Sequence, residues 1–234
     1  MSRGRVAIFY SALLLAALFL PRANAIYLDS TIYEMASDES FISKRIVNDG
    51  SKQNLYGIAA VKIDRPGAGG ERRERIANGE LLFAPLSFSL SPGSGEFFKI
   101  FYRGPEDDRE RYYRILFREM PMLLFPEKRG GKKSEAVPVV AMETILVVRP
   151  RKISFSYSLD ESRGVIKNTG NTFFKLILHK GCHSADDEAE MIYLLPGETF
   201  DSARLKGQNK KFIVAMKKYI PLGNACFDAQ NSIK

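Results

Sequence analysis

The 234-residue sequence predicts an all-β fold built as two β-sandwich domains. Three observations carry that expectation. Helical patterning is nearly absent, and the strand-like runs are short and bounded by Gly, Pro, Asn and Asp, the punctuation of sandwiches. A loose repeat of turn, strand and Pro-Gly turn occurs twice, as Asn48-Asp49-Gly50 with Ser91-Pro92-Gly93 and as Asn168-Thr169-Gly170 with Leu195-Pro196-Gly197, and Arg149-Pro150 lies between the copies. The length beyond an N-terminal leader, about 209 residues, suits two domains of roughly 100 each.

Residues 1–25 have the three parts of a secretory signal: Arg3 and Arg5, the apolar run Val6–Leu20, and the small-residue exit Ala23-Asn24-Ala25. The run is shorter than the ~20 apolar residues a membrane span needs, and no later segment is apolar enough, so the mature chain is expected to start near Ile26 without a span. Removing Arg3, Arg5 and Arg22 from the 35 Lys+Arg leaves 32 against 27 acids, a net of +5. The basic residues are spread along the chain with no aromatic-basic motif, which argues for solubility and against nucleic acid as a partner.

Along the mature chain, Asn48-Asp49-Gly50 introduces the first well-marked apolar strand. In Asp108–Pro121, Tyr113, Ile115 and Phe117 alternate with Tyr112, Arg114, Leu116 and Arg118, the period-two pattern of a strand with one face in a core. Arg118-Glu119-Met120-Pro121 ends it, because proline has no N–H for the ladder. From Pro121 to Arg149 an apolar patch, Met122–Phe125, and a basic glycine-containing stretch, Lys128–Lys133, precede a β-rich run, Val139–Val148. A connection of a dozen or more residues exceeds what a hairpin uses, and long loops of this kind tend to carry function. Phe173–Leu178 is the strand that follows Asn168-Thr169-Gly170 in the second repeat.

The residue inventory gives little to an enzyme. No Gly-x-Ser-x-Gly elbow is present, the histidines are confined to one segment, and adjacent acids such as Asp107-Asp108 and Asp186-Asp187-Glu188 read as solvated loops. His179, Cys182 and His183 together could hold a metal. Against that, an even cysteine count in an exported chain usually means a bridge, so the favoured reading is a Cys182–Cys226 disulfide beside two solvated histidines, with no metal and no cofactor. The first domain has neither Trp nor Cys, so it lacks the Trp-and-disulfide core of antibody domains.

The segment Asp108–Pro121 together with the strand ending at Arg149-Pro150 resembles the periplasmic chaperones of the chaperone–usher pilus pathway, where a D-R-E-x(7)-R-E-x-P strand precedes a long seventh strand ending in Arg-Pro at a hinge. The resemblance extends over nearly all of the mature chain. Ile26–Asp29 is similar to the family's first strand, Tyr56–Asp64 to its third, Ala84-Pro85 through Gly93 to the turn before its fifth, and Leu195–Glu198 to the matching turn of the second domain. It implies two immunoglobulin-like domains, 26–149 and 150–234, in a boomerang arrangement. It also implies pilus subunits and an outer-membrane usher as partners, a periplasmic location, and donor-strand complementation, in which the long strand supplies what a subunit's sandwich lacks. A secreted adhesin or pilus subunit is the alternative, but such a protein carries an N-terminal donor extension, whereas here a strand begins at Ile26.

By the same resemblance, Val140 and Met142, flanked by Pro138 and Thr144 on the same alternating face, are the side chains inserted into the subunit. Glu110 and Arg149 match an interdomain ion pair whose third partner falls near Lys218. In the better-known branch two basic residues grip the subunit's terminal carboxylate. Ile32 and Ile145 stand at those positions, which leaves Lys44, Arg45, Lys99 and Arg114 as substitute anchors.

Overall fold

A computed structural model describes residues 26–67, 71–122, 139–223 and 226–227. The leader, Pro138 and the basic stretch Lys128–Lys133 lie outside the described residues. Among the described residues seventeen strands, numbered in chain order, form two sandwiches of two sheets each.

In the first sandwich one sheet has the order β1 (Ile26–Leu28), β3 (Phe41–Asn48), β8 (Gly95–Tyr102), β6 (Leu81–Ala84). The other runs β2 (Ile32–Met35), β10 (Val140–Val148), β9 (Arg111–Pro121), β4 (Asn54–Ile63), β5 (Arg73–Glu74), with β7 (Ser87–Leu90) also on β4. The first ten residues of this sandwich are therefore divided between its sheets: β1 is antiparallel to β3, and β2 is parallel to β10. The alternation anticipated in β9 is present, since Tyr113, Ile115 and Phe117 are buried against Phe98, Ile46 and Leu146 in one core. Pairing runs on to Pro121, which as the last residue opposite Asn54 costs the sheet little. Tyr112, expected on the outer face, is buried too, because Phe173 and Leu195 of the second sandwich cover it.

The second sandwich pairs a sheet of β11 (Tyr157–Asp160), β12 (Val165–Asn168) and β15 (Thr199–Asp201) with one of β14 (Glu190–Leu194), β13 (Phe174–Leu178), β16 (Lys211–Ala215) and β17 (Lys218–Pro221). It has its own core, centred on Phe174, Leu176, Leu178 and Ile213.

The sequence repeat has a physical counterpart. Asn48 and Asn168 are both fully buried at the ends of their strands. Asn48 Nδ2 donates to the carbonyls of Lys52 and Leu90, and its Oδ1 accepts from the Gly50 N–H. Asn168 Nδ2 donates to Thr172 and Leu194, and its Oδ1 accepts from Gly170. The backbone carbonyls of the two asparagines accept from Gly93 and Gly197, each the left-handed residue of its Pro-Gly turn. One amide thus ties a turn to a strand of the facing sheet, once per sandwich.

Cys182 and Cys226 are bridged. Of the two neighbouring histidines, His183 is exposed, but His179 is buried with its ring 6.0 Å from Phe212. The expectation that both are solvated is thus corrected: His179 directly follows β13 and is covered beside Phe212 of β16. Among the described residues no cluster of three or more His, Cys, Asp or Glu is placed to hold a metal ion.

Candidate functional site

Two features meet where the sandwiches join: a buried charged network and a strand with one free edge. Arg149 follows β10 directly and is only 3% exposed. Its Nε donates to the Glu34 carboxylate, its Nη1 donates to Thr172 Oγ1 and to the Phe173 carbonyl at 3.1 Å, and the guanidinium lies 4.2 Å from the centre of the Phe173 ring. Glu110, which leads into β9, stands 3.9 Å from Arg149 Nη1 and accepts from Thr172 Oγ1 at 2.6 Å, the Phe173 N–H at 3.0 Å and the Tyr112 hydroxyl. Burial pushes the Glu110 carboxyl above its ordinary range, opposed by those three donors and by the Arg149 charge.

The network departs from expectation at its third member. Lys218 is exposed on β17 and takes no part; the second acid is Glu34 on β2. Parallel pairing of β2 with β10 sets Glu34 opposite Val147, two residues before Arg149. Nothing local in Ile32–Met35 announces this, because the partner lies more than a hundred residues away in the chain.

β10 has two halves. Ile145–Val148 is flanked on both sides, by β9 and by β2, whereas Val140–Thr144 pairs only with β9, so among the described residues its other edge is open. Side chains of the expected inserted face diverge along the strand. Val140 is exposed; Met142 packs on the protein's own first core; Thr144 is fully buried inside that core, its hydroxyl without a hydrogen-bond partner. Thr144 is therefore not at the surface where a client could meet it: Leu146 and Val148 on the same face draw this end of the strand into the sandwich. Pro138 lies outside the described residues.

Beside the flanked half, a cavity of about 320 Å³ opens between the sandwiches, lined by Ile32, Ile145, Val147, Phe173, Tyr193 and Leu195, with Arg65 and Glu198 paired at 3.5 Å on its wall. The pairing register sets Ile32, Ile145 and Arg114 side by side on three adjacent strands. Of the four substitute anchors, only Arg114 borders Ile145, and it is clamped by the Glu71 carboxylate through Nε and Nη2. Lys44 lies 4.0 Å from Asp29 and over the Tyr33 ring, and Arg45 and Lys99 point outward from the other sheet, so these three are not brought to the cavity.

No protein-family model matches the chain. The sequence is 41% identical over 230 residues to the probable fimbrial chaperone EcpE of Escherichia coli K12, covering 97% of both chains. It is 29% identical over 194 residues to the probable fimbrial chaperone EcpB of Klebsiella pneumoniae strain 342, covering 80% of this chain and 86% of that one. In fold, the class 5 fimbriae chaperone CfaA aligns with a TM-score of 0.53 at 16% identity, over 85% of this chain and 97% of CfaA. A chain from the Salmonella enterica SafA pilin–SafB chaperone complex aligns at 0.51 and 13% identity, over 87% and 96%. The two immunoglobulin-like sandwiches and the relatives' identity along nearly the whole length lead to one assignment: the chain belongs to the fimbrial chaperones.

Proposed function

We propose that this chaperone holds pilus subunits in the periplasm by lending them the open half of β10. The free edge of Val140–Thr144 carries the reading. A client strand laid along it would satisfy backbone donors and acceptors on both chains, as strand addition does. Val140 is the described side chain best placed to enter the client. Residues 1–25 act as the export signal, 26–149 form the subunit-binding domain, and 150–234 form the second domain, with the Glu110–Arg149–Glu34 network fixing the two against each other. Delivery to an outer-membrane usher follows from the family role.

A client strand on that edge ends where β2 begins, beside the apolar cavity. With Ile32 and Ile145 on its wall and Arg65 paired to Glu198, the only charges among its described lining residues, the cavity favours an apolar contact over a carboxylate grip. The test is co-expression of the tagged protein with its candidate pilins and isolation of a one-to-one periplasmic complex. A stable complex that is lost on Val140→Asp supports the reading, and failure to capture any pilin counts against it.

A further inference from the structure

The outer face of the β1-β3-β8-β6 sheet does not look like a surface built only for water. The inward positions of its strands, among them Ile42, Ile46, Phe98 and Ile100, fill the first core. The outward ones should therefore be polar by alternation. Instead they carry Tyr27, Phe41, Phe97 and Leu82, exposed by 59, 45, 60 and 40%, with Val47 and Phe101 among them. Cross-strand register gathers these into two groups: Tyr27 opposite Val47 with Phe97 close by, and Phe41 opposite Phe101, which is opposite Leu82. Between the groups stand Arg45, opposite Phe97, and Lys99, opposite Ser43. Among the described residues neither cation has a carboxylate within 4.0 Å. No acidic side chain shares these rows, and Asp29, just beyond β1, lies by Lys44.

We propose that this face docks a protein segment that carries carboxylates between apolar side chains. Contiguous exposed aromatics flanking a cation are the composition of an interface centre, and two positive charges without a carboxylate beside them, Lys99 resting 5.7 Å from the centre of the Phe41 ring, select an acidic counterpart. A second copy of this chain is disfavoured, because a two-fold contact would bring four cations together with no acid. An anionic membrane is disfavoured as well, since two cations fall short of the cluster of about four to eight Lys or Arg by which anionic lipid surfaces are recognised. The face is on the sheet opposite β10, so it stays free while the open strand edge is occupied.

Calorimetry with the full mature chain tests this, using as probe an acetylated, amidated heptapeptide of alternating Asp and Phe and its Lys-for-Asp counterpart. The acidic peptide is expected to bind at least tenfold more tightly, and both Phe97→Ser and the double change Arg45→Gln/Lys99→Gln are expected to weaken it tenfold or more. Equal binding of the two peptides, or affinity unchanged by the double change, overturns the proposal. So does tighter retention on phosphatidylglycerol vesicles than on the peptide, or concentration-dependent dimerisation in sedimentation that Phe97→Ser abolishes. Should Phe97→Ser fail to melt cooperatively, the double change at fully outward charges decides alone.

Discussion

A few polar side chains hold this protein in register, each by satisfying groups that water cannot reach. Asn168 joins the carbonyls of Thr172 and Leu194 to its own turn, so Asn168→Ala removes two donors and leaves two buried acceptors bare. A loss of about 2–3 kcal/mol is expected in urea unfolding, with a comparable loss for Asn48→Ala. Glu110→Ala leaves Arg149 buried and short of an acid, with an expected cost of about 3–5 kcal/mol; Glu34→Ala should cost less, because Glu34 sits at the exposed end of the network. Glu110 also sets a pH dependence. Its folded carboxyl binds a proton more readily than the unfolded one, so its contribution is most favourable below the unfolded value of 4.5 and declines as pH rises through the raised folded value. Asp107 acts in reverse: hydrogen bonds from Arg111 hold its carboxyl far down, so its contribution is present above about 4 and lost in acid. Stability measured against pH should therefore slope less steeply downward above pH 4.5 in Glu110→Gln than in the parent chain. Identical slopes would remove Glu110 from the account.

At the scale of single strands, β10 separates into a sealed half and an open half, and substitutions should respect that division. Val140→Asp is expected to abolish capture of a pilin, since burying an unpaired carboxylate in an apolar groove costs several kcal/mol, while Val139→Asp on the opposite face should be tolerated. Selective loss in Val139→Asp would instead place the working face one residue over. Thr144→Val should leave capture unchanged and raise stability by about 1 kcal/mol, because the methyl replaces a buried hydroxyl that has no partner. Local pattern made much of this legible. Alternation located β9 and its buried Tyr113, Ile115 and Phe117, and the Arg149-Pro150 stop located the end of β10. What local pattern could not supply was pairing across long separations: that β2 would seal Ile145–Val148 and claim Thr144's end of the strand for the protein's own core, or that Glu34 would reach Arg149. Period two says which residues share a face; it does not say what that face meets.

For the molecule as a whole, stability is shared by two independent cores and a joint. The Cys182–Cys226 bridge closes 44 residues within the second sandwich, and on a chain-entropy basis it adds about 3–4 kcal/mol. Non-reducing digestion and mass spectrometry should show the linked peptides, with two free thiols as the contrary result. The joint contributes differently, since Tyr112, Val147, Phe173 and Leu195 form a small apolar cluster of their own around which the charged network closes. Loss of the network should accordingly loosen the angle between the sandwiches, readable by small-angle scattering, before either core melts.

The division of the first ten residues between two sheets also bears on how the chain comes into being. As the chain emerges, the segment containing β2 comes first, yet its parallel neighbour β10 follows more than a hundred residues later. Until then the half-built sandwich offers an unpaired edge to any passing strand, the hazard that long-range pairing brings to slow-forming β proteins. Arrival of β10 ends that exposure on one side and, along Val140–Thr144, creates an edge of its own. The protein therefore becomes able to shelter a neighbour at the same moment that it ceases to need shelter.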